Sequence, residues 1–169
     1  MTGWWALAFV VLWLLVVVLC IVVIALARQV GTLHLRLGPR GALEIDDEGP
    51  ALGESLRAIE AVAADGARVA LGGVGRPRLV LFASKTCAIC REVSPGLPAA
   101  ASAGRLEAIV VHDPGAESAY GVPGTPFVIV LDDQGVVRAK GTVNNLEQVE
   151  GLVDTANRRS TEDRRRWAS

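Results

Sequence analysis

The chain has 169 residues, a formal net charge of −1 and a composition that is 51 % hydrophobic. That is room for one ordinary domain plus an appendage, and the near-neutral balance gives no electrostatic reason to expect a nucleic-acid partner. Only three cysteines are present, and two of them, Cys87 and Cys90, stand in one short stretch, SKTCAICREVSP (84–95).

From Trp4 to Ala27 no residue is charged. As a helix this run extends about 36 Å, enough to cross a hydrocarbon core of about 30 Å. Trp4 and Trp5 at one end fit an interfacial aromatic belt. Ala25-Leu26-Ala27 also offers the A-x-A pattern of a cleaved signal peptide. No Lys or Arg precedes the run, however, and signal h-regions span only about 7–15 residues, which favours a retained transmembrane anchor over 1–27. Cys20, inside it, reads as a small apolar residue facing lipid. Residues 28–50 read as a juxtamembrane connector of marginal structure. Leu33, Leu35 and Leu37 alternate with polar residues there, and Gly38-Pro39 and Gly49-Pro50 punctuate it as turns.

A folded domain is expected over 51–158. Leu56–Ala63 and Ala67–Leu71 flank the turn signal Ala64-Asp65-Gly66, which suggests an antiparallel hairpin, although LRAIEAVAA suits a short helix equally well. RLVLFAS (78–84) and LEAIVVH (106–112) are short apolar runs of the kind buried strands show, with a helix expected between them from about Ala88. PFVIVLDDQGVVRAKG (126–141) alternates around Asp133-Gln134-Gly135, a strand–turn–strand pattern. Asn144 or Asn145 can cap a last helix whose Leu146, Val149, Leu152 and Val153 share one face. Residues 159–169, Arg-rich with interleaved acids, read as a flexible solvated tail.

Three readings compete for Cys87 and Cys90. A structural zinc site needs four ligands, and the other candidates are only Cys20, His34 and His112 in three separate segments. A copper site could use the cysteines with one His such as His112. A staple closing so short a loop removes little entropy from the unfolded chain. The catalytic reading has more behind it. Cys87 falls between a buried strand and a helix start, where the helix dipole and unpaired N–H groups stabilise a thiolate. Lys85 adds positive charge if it turns inward, and Cys90, one turn on, suits a resolving thiol.

Pro95 stands eight residues after Cys87, and Gly121-Val122-Pro123-Gly124-Thr125-Pro126 precedes an apolar strand. With these features the sequence resembles the thioredoxin superfamily. Its helix-kinking proline matches Pro95, and its cis-proline, set against the dithiol, matches Pro126. The resemblance implies a thioredoxin-like α/β fold, a central mixed sheet flanked by helices, behind the N-terminal transmembrane helix. It also implies that Cys87 attacks, that Cys90 resolves, and that Thr125 and Pro126 present backbone to a client strand. Leu81 occupies the place where thioredoxin itself has a buried acid, and Glu92 is a candidate proton source.

The anchor, LARQVGTLHLRLGPRGAL (26–43), SKTCAIC and DDQGVVRAKGTVNNLEQVEGLV (132–153) together resemble the MauD family. These are membrane-anchored methylamine-utilisation accessory proteins related to the TlpA/ResA-type disulfide oxidoreductases. The resemblance implies thiol–disulfide exchange with cysteine-containing protein clients outside the cytoplasm, in maturation of the disulfide-rich small subunit of methylamine dehydrogenase. No metal or organic cofactor is required. A redox-inactive module of the same fold, docking a client or carrying copper, is the alternative.

Overall fold

A computed structural model describes residues 3–36 and 48–167. The chain divides into two compact units, Met1–Gly38 and Pro39–Ser169. The first unit contains helix α1, Gly3–Arg36. Its stretch Gly3–Val22, with a mean hydropathy of 3.1, is long and apolar enough to cross a membrane. The helix does not stop at Ala27 but continues into the expected connector. Charge does not end a helix when its backbone hydrogen bonds are satisfied internally, and no proline occurs before Pro39. The turn expected at Gly38-Pro39 lies outside the described residues.

In the second unit, β1 (Ile59–Val62) and β2 (Arg68–Leu71) pair antiparallel, which settles the 56–71 segment as a hairpin. The main sheet is built from β3 (Arg78–Phe82), β4 (Glu107–Val111), β5 (Phe127–Leu131) and β6 (Val137–Thr142) in the order β4-β3-β5-β6. β3 and β4 run parallel, and the other two pairings are antiparallel. The crossover between β3 and β4 begins as α2 (Ala88–Val93), tightens to a 3₁₀ turn at Ser94–Gly96 and resumes as α3 (Leu97–Ala103). Pro95 lies in that tightened turn. It has no N–H for the helical ladder, so one continuous helix cannot form.

Alternation along the strands sends side chains to two separate cores. Leu79, Leu81, Val128, Val130 and Ala139 meet α2, α3 and the last helix, α5 (Leu146–Trp167). Val80, Phe82, Ile109, Phe127 and Ile129 face the β1–β2 hairpin and α4 (Pro114–Ala119). Phe82 and Phe127 are buried almost completely, and burial of each stabilises by about 1.5–3 kcal/mol.

α5 extends well into 159–169, the stretch expected to be a loose tail. Its core face ends near Ala156, so hydrophobic burial does not hold the remainder. Arg138 does. Its guanidinium donates to Asp132 Oδ2 at 2.7 Å and to Asp163 on the helix, while Arg159 Nη1 donates to the Arg138 carbonyl at 2.9 Å. Burial pulls the Arg138 pKa down, but the two carboxylates outweigh it and leave the guanidinium more firmly protonated than usual. Single exposed ion pairs contribute about 0–1 kcal/mol, and here geometry and a three-residue network raise Arg138 above that class.

Candidate active site

The strand register gathers the candidate residues at one end of the sheet. Phe82 ends β3 opposite Phe127, which begins β5, and opposite Val111, which ends parallel β4. Phe127 in turn pairs with Thr142 at the end of β6. The loop to Cys87, His112, Pro126 and the turn into α5 therefore all leave the sheet at this end.

Cys87 is the N-cap of α2, in extended backbone, and its Sγ accepts from the Cys90 N–H at 3.0 Å. The two cysteines form a disulfide with their Cα atoms 5.3 Å apart. Their exposures differ. Cys87 is half-buried, whereas Cys90 is 2 % exposed and packed in the core with Leu81, Val93 and Leu97. Ser94 Oγ donates to the Cys90 carbonyl, tying the turn after the dithiol. Lys85 stays exposed rather than turning inward, and Glu92 is exposed as a solvated helix residue. Leu81 is fully buried.

The Thr125–Pro126 peptide bond is cis, with Thr125 half-buried and Pro126 buried. The loop leading to it is braced from α4, a helix the sequence reading did not anticipate. Asp113 caps α4, accepting from Gly115 N at 2.8 Å and Ala116 N at 3.3 Å, and its other oxygen accepts from Val62 N at 3.1 Å. These backbone donors hold its carboxyl below the usual range. Tyr120, at the end of α4, donates to the Arg57 carbonyl at 2.9 Å and meets Phe82 edge-to-face. Burial pushes its phenol up to about 12, opposed by the Arg78 charge. The segment HDPGAE did carry a signal for α4: Asp as N-cap with Pro at the first helical position.

His112 is half-buried just after β4. Among the described residues no three His, Cys, Asp or Glu side chains are grouped to hold a metal. A groove of about 670 Å³ lies at the opposite end of the sheet, between the β5–β6 turn and α5, and contains none of the candidate residues.

Fold and dithiol together define the class: a thioredoxin-like domain with a Cys-x-x-Cys pair at a helix start. The fold is shared with the crystal structure of a putative thiol:disulfide interchange protein DsbE from Chlorobium tepidum. That match has a TM-score of 0.51 at 16 % identity and covers 65 % of this chain and 98 % of that one. No family model matches the chain. The methylamine utilization protein MauD of Methylorubrum extorquens is 30 % identical over 171 residues, covering 86 % of this chain and 83 % of that protein. MauD of Paracoccus denitrificans is 29 % identical over 180 residues, covering 91 % and 90 %. The chain belongs to the MauD family.

Proposed function

We propose that this protein is a membrane-anchored thiol–disulfide oxidoreductase that exchanges disulfides with protein clients outside the cytoplasm. The observation that carries this reading is the split exposure of the Cys87–Cys90 pair at the same end of the sheet as Thr125-Pro126. In the reduced protein the Cys87 thiolate keeps the Cys90 N–H as a donor and is the sulfur a client can reach. It attacks one sulfur of a client disulfide, expelling the other as a thiolate. Cys90, once deprotonated, then attacks Cys87 Sγ and releases the client's second thiolate. The client gains two electrons and two protons, and Cys87–Cys90 is left oxidised. The same steps reversed oxidise a client dithiol.

Thr125 supplies the backbone groups that pair with the client strand, and Pro126 fixes that edge. Gly3–Val22 supplies the anchor. The relatives are named for methylamine utilisation, and the MauD resemblance implies as client the disulfide-rich small subunit of methylamine dehydrogenase. Cys90→Ser should trap client–Cys87 mixed disulfides that dithiothreitol releases, and Cys87→Ser should trap none. Absence of any trapped species from Cys90→Ser in cells making that subunit would overturn the reading.

A further inference from the structure

Lys140 is fully buried, and among the described residues it is the only charged side chain so classed. On β6 it pairs with Ile129 of β5, so it points into the layer that holds Phe127 and Ile129. A buried ammonium is costly without hydrogen bonds, and one of its interactions is with a backbone group distant in sequence. Lys140 Nζ donates to the carbonyl of Glu48 at 2.7 Å. The next residue, Gly49, has φ +69°, and a Cβ there would stand 2.9 Å from Phe127 Cζ. Pro50 beyond it is buried. The strap Glu48-Gly49-Pro50 thus lies against the Phe127 ring, clasped at one end by Lys140. Phe127 is bonded directly to Pro126.

We propose that Lys140 is a positioning residue for the exchange reaction. By clasping the strap it seats Phe127 and so fixes the Thr125-Pro126 edge on which a client strand docks. The proposal rests on the reading of that edge as the client site. The cost of losing the clasp therefore falls on client binding rather than on the sulfur chemistry. Gly49 belongs to the same device. Only a residue without Cβ both adopts this φ and lets the backbone meet the ring.

The test uses the full chain in detergent, with insulin as the protein disulfide. Lys140→Met removes the donor at similar volume. It should raise KM for insulin about five- to tenfold, the effect of one lost hydrogen bond, while kcat changes less than about twofold. Gly49→Ala strains the strap against the Phe127 ring while leaving Lys140 in place, so it serves even where Lys140→Met folds poorly, and it should raise KM similarly. The double variant should be no worse than the poorer single one, because both act through one strap. Amide exchange over 124–129 should quicken in each variant. Unchanged exchange there overturns the clasp. Faster exchange with unchanged KM overturns its role in docking. If the wild-type protein fails to reduce insulin although dithiothreitol opens its Cys87–Cys90 bond, the site reading and this role fall together, while the exchange data still decide the clasp.

Discussion

The backbone N–H of Cys90 points at the sulfur of Cys87, 3.0 Å away, and Cys90's own sulfur lies in the core beneath it. In the reduced protein this makes the two thiols unequal. Cys87 has a helix-start donor to stabilise its thiolate, whereas burial in apolar surroundings disfavours that of Cys90. Iodoacetamide at pH 6 should label Cys87 at least about tenfold faster than Cys90, as read by mass spectrometry, given the range over which such settings shift thiol acidity. Labelling of Cys90 alone would reverse the assigned roles.

Asp113 joins β1 to the start of α4, and its carboxyl is held below the ordinary 3.8 by the N–H groups of Val62, Ala116 and Gly115. A depressed folded-state value means the anion stabilises the fold above the unfolded pKa. That contribution fades as pH falls from about 3.8 through the folded value. Asp113→Asn should lower Tm by a constant amount between pH 5 and 8, and the gap should narrow below that window. A gap that widens on acidification would contradict the assignment.

Gly72 has φ +70°, and a Cβ there would lie 2.6 Å from the Tyr120 hydroxyl and 2.7 Å from the Arg57 carbonyl oxygen. Gly72→Ala should cost about 1–3 kcal/mol for the backbone alone, and more for the crowding. The urea midpoint should fall with m unchanged. A neutral result would mean that the Tyr120–Arg57 contact is not maintained in solution.

Topology sets two expectations against each other. Arg28, Arg36 and Arg40 follow the apolar span closely, which by the positive-inside rule would put the C-terminal domain in the cytoplasm. The family resemblance implies the opposite side, and long domains translocate largely regardless of charge. Alkaline phosphatase fused after Ser169 should therefore be active, and an impermeant maleimide should label reduced Cys87 in cells with a permeabilised outer layer. An inactive fusion, with labelling only after lysis, would place the domain inside.

The make-up of the candidate site was legible because it depends on spacing. The cysteine pair, Pro95 and Thr125-Pro126 stand in a local order that survives without knowledge of the fold. The four sheet strands were legible through apolar runs and alternation. Part of what escaped the sequence reading depends on distant partners. The segment PGAESA is too short to display a helical period, and only Ala116 of α4 is buried. The end of α5 looks like a solvated charge run because nothing nearby indicates that Asp163 meets Arg138, 25 residues away. Nothing near Lys140 in sequence indicates its burial, because its partner carbonyl at Glu48 lies 92 residues earlier. α1 outran the expected boundary at Ala27 because apolarity marks what can enter a membrane, not where helical hydrogen bonding ceases.

The sheet also works as a partition. The buried sulfur of Cys90 belongs to the layer shared with α2, α3 and α5, whereas Phe127, the strap and the β1–β2 hairpin belong to the other. Substitutions behind Cys90 can adjust the redox balance of the dithiol without disturbing the wall that seats Phe127. Changes around the hairpin and strap can reshape the proposed docking segment with the sulfur environment left intact. One small domain can in this way acquire a new client and keep its electron chemistry, or the reverse, by drift on a single face.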